Sequence, residues 1–310
     1  MAALLSLEIN MRRPLPVTWV EILKARSALI ASPKPQSAQK YIELVRETKV
    51  APPYHLRPIL RHLEEIEVSS GKERADVVVL DHGCGGGATL MYLAAIGYQT
   101  IYGVDVGGDL EGVDRALRAI TGLSEAHLFL YDGSNLPFPE CKFDFIFSQQ
   151  VIEHVNDNCI DAYFDDELRV LCNSGLVYHQ IPHRLTPWES HTKTWGVHYL
   201  PQSLRRRVYR LLGHDPEYVA KILFLRSPFY YARQLRARYP RVTNETLERL
   251  KLQPDIENYH GNLQLRRLVS FGAALPVVRS FLANFVMLDM SGIKGPRECS
   301  IDRPIEKGRL

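Results

Sequence analysis

A chain of 310 residues has room for one enlarged domain or two modest ones, at about 150 residues each. Apolar residues make up 45% and charged residues 24%, the balance of a folded globular protein and not of a disordered one. A formal net charge of +3 excludes a polyanion-coating protein of the histone type.

In the first 14 residues the arginines, Arg12 and Arg13, follow the apolar stretch and no small-residue cleavage site appears, the reverse of a secretory signal. The longest apolar run, residues 268–290, is broken by Pro276, Arg279 and Asp289, so it reads as a buried core segment and not as a membrane span. Five cysteines, Cys84, Cys141, Cys159, Cys172 and Cys299, are odd in number, widely spaced and lack a CxxC pair. They read as reduced thiols, and the chain as a soluble cytoplasmic protein.

Residues 31–37 and 51–58 are rich enough in Pro, Ser and Lys to be connections. Between and beyond them, the spacing predicts helices over 38–49 and 59–68, the second closed by Ser69-Ser70-Gly71. Residues 1–75 are therefore expected to form a helical N-terminal cap. Tyr54 and His55 within it are placed to close over a ligand.

The pattern changes at residue 76. A β-branched run at 77–80 predicts a strand buried on both faces, followed by a glycine loop and a helix over 88–96 capped by Gly97. Strands are expected at 101–104, 126–130, 143–147 and 175–181, with helices at 110–120 and 162–171. Strands alternating with helices mean parallel βαβ units, hence an open, doubly wound α/β sheet over 76–200. Residues 201–310 read as a mainly helical, basic extension, returning a last strand to the sheet near 283–290.

Asp81-His82-Gly83-Cys84-Gly85-Gly86-Gly87 sits between a strand and a helix, where glycines permit a tight turn and close approach of a ligand to the backbone. Asp105 ends the next strand, where a carboxylate can accept both hydroxyls of a ribose. Asp132 closes the third, where it can accept from an exocyclic amine. Gly83, Gly85 and Ala88 also satisfy G-x-G-x-x-A with Asp105 22 residues after Gly83, which keeps an NAD-dependent dehydrogenase in view. Against it, Asp81 at the loop entrance is ill placed beside a pyrophosphate and well placed beside an ammonium group.

This loop resembles the D/E-x-G-x-G-x-G loop of class I S-adenosylmethionine-dependent methyltransferases. Asp132-Gly133-Ser134-Asn135-Leu136-Pro137-Phe138-Pro139, with Phe143-Asp144 and Ser148-Gln149-Gln150-Val151-Ile152-Glu153-His154, resembles the small-molecule type 11 branch. The likeness covers residues 75–182 and implies a Rossmann-like sheet with S-adenosylmethionine as cofactor. It implies Gly83, Gly85 and Gly87 under the methionine and ribose and Asp105 on the ribose hydroxyls. It further implies Asp132 and Gly133 on the adenine, with Ser148 and Gln149 at the methionine end. Glu153 and His154 usually pack the cofactor face in that family, which implies a structural role. His82 departs from the family's usual aliphatic residue, and Gly107-Gly108 replaces a small polar one.

Residues 179–199 hold four of the 11 histidines and two of the three tryptophans, and leave the sheet on the cofactor side. A histidine is the natural base for an acceptor hydroxyl, so His191 is the first candidate, with Glu189 to orient it, and His183 the second. His183, Glu189 and His191 match no standard metal-ligand spacing, and no metal site is expected from them. Each histidine alone also reads as a cap for loop carbonyls.

From 201 to 241 ten Lys/Arg face two acids, Asp215 and Glu217, a local charge of +8 that leaves about −5 for the remainder. Leu204, Val208, Leu211 and Leu212 share a helical face. The segment reads equally as a seat for an anionic small-molecule or glycan acceptor, as a peripheral contact with an anionic membrane, or as a solvated face. No nucleic-acid-binding module accompanies it. The expected function is methyl transfer from S-adenosylmethionine to a hydroxyl of a small molecule or glycan intermediate. The alternatives are an NAD-dependent dehydrogenase and a non-catalytic adenosine-binding scaffold.

Overall fold

A computed structural model describes residues 17–48, 52–53, 55–251 and 275–295. Tyr54, Cys299 and residues 268–274 of the apolar run lie outside them. Three helices come first: α1 (Val17–Ala31), α2 (Pro35–Glu47) and α3 (Arg57–Ser70). The sequence pattern did not single out α1, whose apolar residues are spread around the helix. It nevertheless buries Ile22 and Leu29 in the same core as Tyr41 and Val45 of α2. Helix α3 ends at Gly71 in the left-handed region (φ 68°), whose amide donates to Glu67 O at 3.0 Å.

The alternating part contains β1 (Val79–His82), α4 (Ala88–Ala95), β2 (Ile101–Asp105), α5 (Glu111–Thr121) and β3 (Leu128–Leu130). It continues through β4 (Phe143–Gln149), α6 (Ile160–Val170) and β5 (Leu171–Ile181). A two-strand ribbon follows, β6 (Trp188–Glu189) with β7 (Thr194–Trp195), then α7 (Gln202–Leu211), α8 (Pro216–Ile222) and α9 (Pro228–Arg236). The described chain closes with β8 (Arg241–Asn244), α10 (Thr246–Lys251), α11 (Pro276–Ala283) and β9 (Leu288–Ile293).

Seven strands form one sheet in the order β3-β2-β1-β4-β5-β9-β8. The first five are parallel, and β9 runs antiparallel to both β5 and β8. The α/β sheet expected from the alternating pattern is thus present. Its strand order reverses between β1 and β4, the crevice where open sheets bind ligands beyond the strand ends. One face is covered by α1, α2, α4 and α5 over Phe145 and Tyr178. The other carries α6 and α9, with Phe164, Tyr231 and Leu235 packed on Phe143 and Ile146.

Some expectations shift. Strand β1 runs 79–82 instead of 77–80, which carries Asp81 and His82 into the sheet. Residues 241–244, read as part of a helical region, pair as β8. The apolar face expected on α7 is not a buried one, since Leu204 is 46% exposed and Leu211 85%, while Tyr209 is buried. No described helix is long and apolar enough to cross a membrane.

Candidate active site

Beyond the ends of β1 and β2 lies a cavity of about 510 Å³, bordered by Asp81, the 83–86 loop, Asp105, Tyr131, Gln149 and His154. The loop turns because its glycines adopt positive φ, 94° at Gly83, 48° at Gly85 and 61° at Gly87. A Cβ on Gly83 would stand 2.3 Å from Val151 Cγ2, whereas one on Gly85 would meet nothing within 4 Å. Gly83 is therefore held by packing, and Gly85 faces open space. Gly87 caps α4 and does not border the cavity.

Two carboxylates face this space. Asp105 Oδ2 accepts from the Gly85 amide at 2.8 Å and Oδ1 from that of Gly107 at 3.2 Å, so it ties the loop to β2. Asp81 is 5% exposed, and burial, with a further push from the Asp105 charge, raises its pKa well above the carboxylate range. A free anion is poorly tolerated beside this pair, and a cation or a set of hydroxyls is welcomed.

Asp132 lies two residues past the end of β3, exposed, its Oδ1 accepting from the amides of Ser134 and Asn135 at 2.8 and 3.0 Å. Those bonds hold its pKa below the usual range. Neither it nor Gly133 borders the cavity. Ser148 and Gln149 are neighbours in β4 and so point to opposite faces. Gln149 borders the cavity, its Nε2 donating to His55 O at 2.9 Å, which ties the N-terminal helices to the site. Ser148 is fully buried and pairs with His179 Nδ1 at 2.9 Å.

The histidine-rich segment divides. His183 is 1% exposed, and both ring nitrogens meet backbone, Nε2 donating to Val286 O at 2.8 Å and Nδ1 accepting from Leu185 N at 3.2 Å. This arrangement leaves it away from the cavity, so the second-choice base has no free nitrogen to offer. Glu189 and His191 meet as expected. The ribbon turn places Glu189 Oε1 to accept from His191 Nδ1 at 2.7 Å and from the His191 amide at 2.9 Å, while Oε2 accepts from Thr192 N and Oγ1, each at 2.6 Å. Burial alone would raise the Glu189 pKa, but these bonds bring it down to about 2. Burial likewise opposes charge on His191, yet the bond to Glu189 and the charges of Glu189 and Glu153 hold its pKa above the imidazole range.

His191 does not stand alone. Its Nε2 lies 3.1 Å from Nε2 of His154, with the rings edge to face, and 3.7 Å from Oε1 of Glu153. Sequence reasoning assigned Glu153 and His154 a packing role, and nothing local could have revealed that residues 37 apart would meet. The pair sits on a short 3-10 turn, 152–154, which residues 222–226 hold in place. Phe224 N donates to Glu153 O at 2.7 Å, His154 Nδ1 donates to Ile222 O at 2.5 Å, and the Arg226 guanidinium donates to Val155 O at 2.7 Å. Glu153 is fully buried, and burial pushes its carboxyl up to about 8 despite the opposing pull of its own amide and of His191.

A second cavity of about 290 Å³ is lined by Leu223, Phe224 and Leu225 of the 222–226 segment, with Arg184, Arg205 and Tyr209 among others. Arg206 is engaged with Glu217 at 3.3 Å.

Comparison with known proteins finds a likeness over the central part of the chain. Residues 79–175 match a family model described as a methyltransferase domain. Among solved structures, the chain resembles a phosphoethanolamine N-methyltransferase 2 from Haemonchus contortus (16% identity, 88% of this chain and 61% of that one, TM-score 0.44). It also resembles the YcgJ protein of Bacillus subtilis (17%, 76% and 100%, TM-score 0.42). A third is a geranyl diphosphate C-methyltransferase from Streptomyces coelicolor (13%, 82% of each, TM-score 0.42). The chain spans about three fifths of the length of the first. The matched residues 79–175 hold the glycine loop, Asp105 and Gln149, so the methyltransferase-domain likeness falls on the part of the chain that borders the cavity.

Proposed function

We propose that this protein transfers the methyl group of S-adenosylmethionine to a hydroxyl of an anionic small molecule or glycan intermediate. The carrying observation is the pair Asp81 and Asp105 at the glycine loop, both bordering the cavity. An ammonium group answers the buried carboxylate and ribose hydroxyls answer Asp105, whereas the pyrophosphate of a dinucleotide would meet two like charges. In this reading the methionine end lies toward Gln149, and Asp132 reaches the adenine from the rim. The sulfonium supplies the electrophile, and the chain aligns the acceptor oxygen and helps remove its proton.

The acceptor hydroxyl is assigned to the cluster of His154 and His191, with Glu189 orienting His191. His154 supports this because it borders the cofactor cavity and touches His191. Arg184 and Arg205 in the neighbouring cavity support an acceptor with negative charge.

Calorimetric titration with S-adenosylmethionine, S-adenosylhomocysteine and NADH tests the cofactor half. Binding of the first two and none of NADH is expected. Asp105→Ala should weaken binding by about 1.5–3 kcal/mol, roughly tenfold to 150-fold, the worth of hydrogen bonds to a charged group. Binding of NADH alone would replace the proposal with a dehydrogenase. The acceptor half is tested by incubating the protein with isotopically labelled cofactor and phosphorylated or carboxylated alcohols. Label should enter an ether, and transfer only to neutral acceptors would remove the anionic part.

A further inference from the structure

We infer that Glu153, His154 and His191 form a binding site for a divalent transition-metal cation of the Zn²⁺ type, at the edge of the cofactor cavity. Three observations converge on it.

The first is the lone pairs. His154 Nδ1 donates to Ile222 O and His191 Nδ1 donates to Glu189 Oε1. In each neutral ring the proton is thereby fixed on Nδ1, and Nε2 carries a bare lone pair. The two Nε2 atoms face one another at 3.1 Å, where lone pairs repel unless a positive charge joins them.

The second is the carboxylate. Glu153 is fully buried, and neither of its oxygens has a hydrogen-bond partner among the described residues. Oε1 points at both imidazoles, 3.7 Å from His191 Nε2 and 3.9 Å from His154 Nε2. Buried carboxylates without partners are rare because their desolvation goes uncompensated. A single imidazolium shared between the rings would relieve the lone pairs but leave Glu153 beyond hydrogen-bond reach. A cation answers all three groups at once.

The third is spacing. A tetrahedral ion with ligands at about 2.1 Å separates them by about 3.4 Å, and the observed separations bracket that value. Two imidazoles and one carboxylate form the donor set of open, catalytic sites, with a remaining position for water or substrate. Each histidine also hands its far N–H to a carbonyl or carboxylate, the outer support that fixes metal-binding rings.

The role of the ion rests on the methyl-transfer proposal; its binding does not. A coordinated acceptor hydroxyl loses its proton more readily. The alkoxide oxygen then bonds to the methyl carbon as the S–CH₃ bond breaks, leaving S-adenosylhomocysteine and a methyl ether, with the proton passing to water. His191 then holds the ion, since Nε2 is committed to it, and Glu189 positions His191.

The test uses untagged full-length protein, stripped with chelator and titrated with Zn²⁺ by calorimetry and with Co²⁺ by visible absorption. One equivalent should bind with micromolar or tighter affinity, and Co²⁺ should give d–d bands of low coordination number. His154→Ala and His191→Ala should each weaken Zn²⁺ binding about tenfold or more, and Glu153→Gln likewise, while His214→Ala leaves it unchanged. The urea midpoint of each variant serves as the check on folding. Failure of the unaltered protein to bind Zn²⁺ overturns the inference, as does binding that is indifferent to His154 and His191. Site-specific Zn²⁺ binding without methyl transfer to any acceptor would sink the activity proposal and leave the metal site standing. Methyl transfer by protein that binds no metal would do the reverse.

Discussion

Replacing Asp81 by Asn is expected to weaken S-adenosylmethionine binding by about 2–5 kcal/mol, some 30-fold to several thousand-fold, while raising the melting temperature of the ligand-free protein. Both effects follow from one buried carboxylate. Burial and then the Asp105 charge raise its pKa well above that of an unfolded aspartate. A folded pKa above the unfolded one means the group binds protons more tightly in the native state. Its contribution to stability is therefore present at acid pH and lost as pH rises through the interval between the two values. Asn, which cannot ionise, escapes that loss. The gain in melting temperature should vanish below about pH 4, near the unfolded pKa of aspartate. An ammonium group lowers the bound-state pKa of Asp81, so cofactor binding should release a proton in the same interval. Titrations in two buffers of different ionisation enthalpy would reveal it. Unchanged affinity in the Asn variant would mean that the ammonium is held elsewhere.

The second large effect is expected in the interior. Glu167 of α6 is fully buried, its Oε1 accepting from His82 Nδ1 at 2.7 Å and its Oε2 3.4 Å from His179 Nε2. His82 Nε2 meets the Tyr131 hydroxyl at 2.8 Å, and its ring stacks on Tyr163 with centroids 4.0 Å apart. His179 in turn meets Ser148. Glu167→Ala strands the buried His82 ring and removes the carboxylate beside His179, and should cost about 3–5 kcal/mol of unfolding free energy, a large share of a domain's total. Glu167→Gln keeps the shape and one acceptor, and should cost about 1–3 kcal/mol. Urea midpoints at constant slope would measure both. A loss under 1 kcal/mol in the Ala variant would show that the network relaxes around the gap. Because Tyr131 borders the cofactor cavity, the Gln variant should also bind S-adenosylmethionine more weakly.

The parts of the site that could be read from residue order are those whose chemistry is local. The glycine loop, Asp81 and Asp105 follow directly from where strands end and backbone must turn. Ser148 and Gln149 show where that logic fails, since a strand sends neighbours to opposite faces and only one of two adjacent residues can meet the cavity. Asp132 differs again, because β3 stops at Leu130 and sets it on the rim, in a turn that engages one of its carboxylate oxygens. Glu189 and His191 were visible as a close pair, but their meeting with Glu153 and His154 depends on how a ribbon packs against a 3-10 turn. His82 stood out as the residue that departs from the family pattern. Its reason, Glu167, lies 85 residues away on another element. Leu211 illustrates the limit of periodicity, which finds an apolar face without saying whether anything covers it.

One strip of backbone joins the two cavities. Ile222 and Phe224 bind the turn that carries His154 and Glu153, while Leu223, Phe224 and Leu225 line the arginine-rich space behind them. A molecule that seats there meets Phe224, whose amide holds the turn that carries Glu153 and His154. Occupancy on one side and ring orientation on the other are then thermodynamically linked, and any preference passes in both directions with equal magnitude. If the acceptor proposed above seats there, selectivity resides in the wall as much as in either chamber.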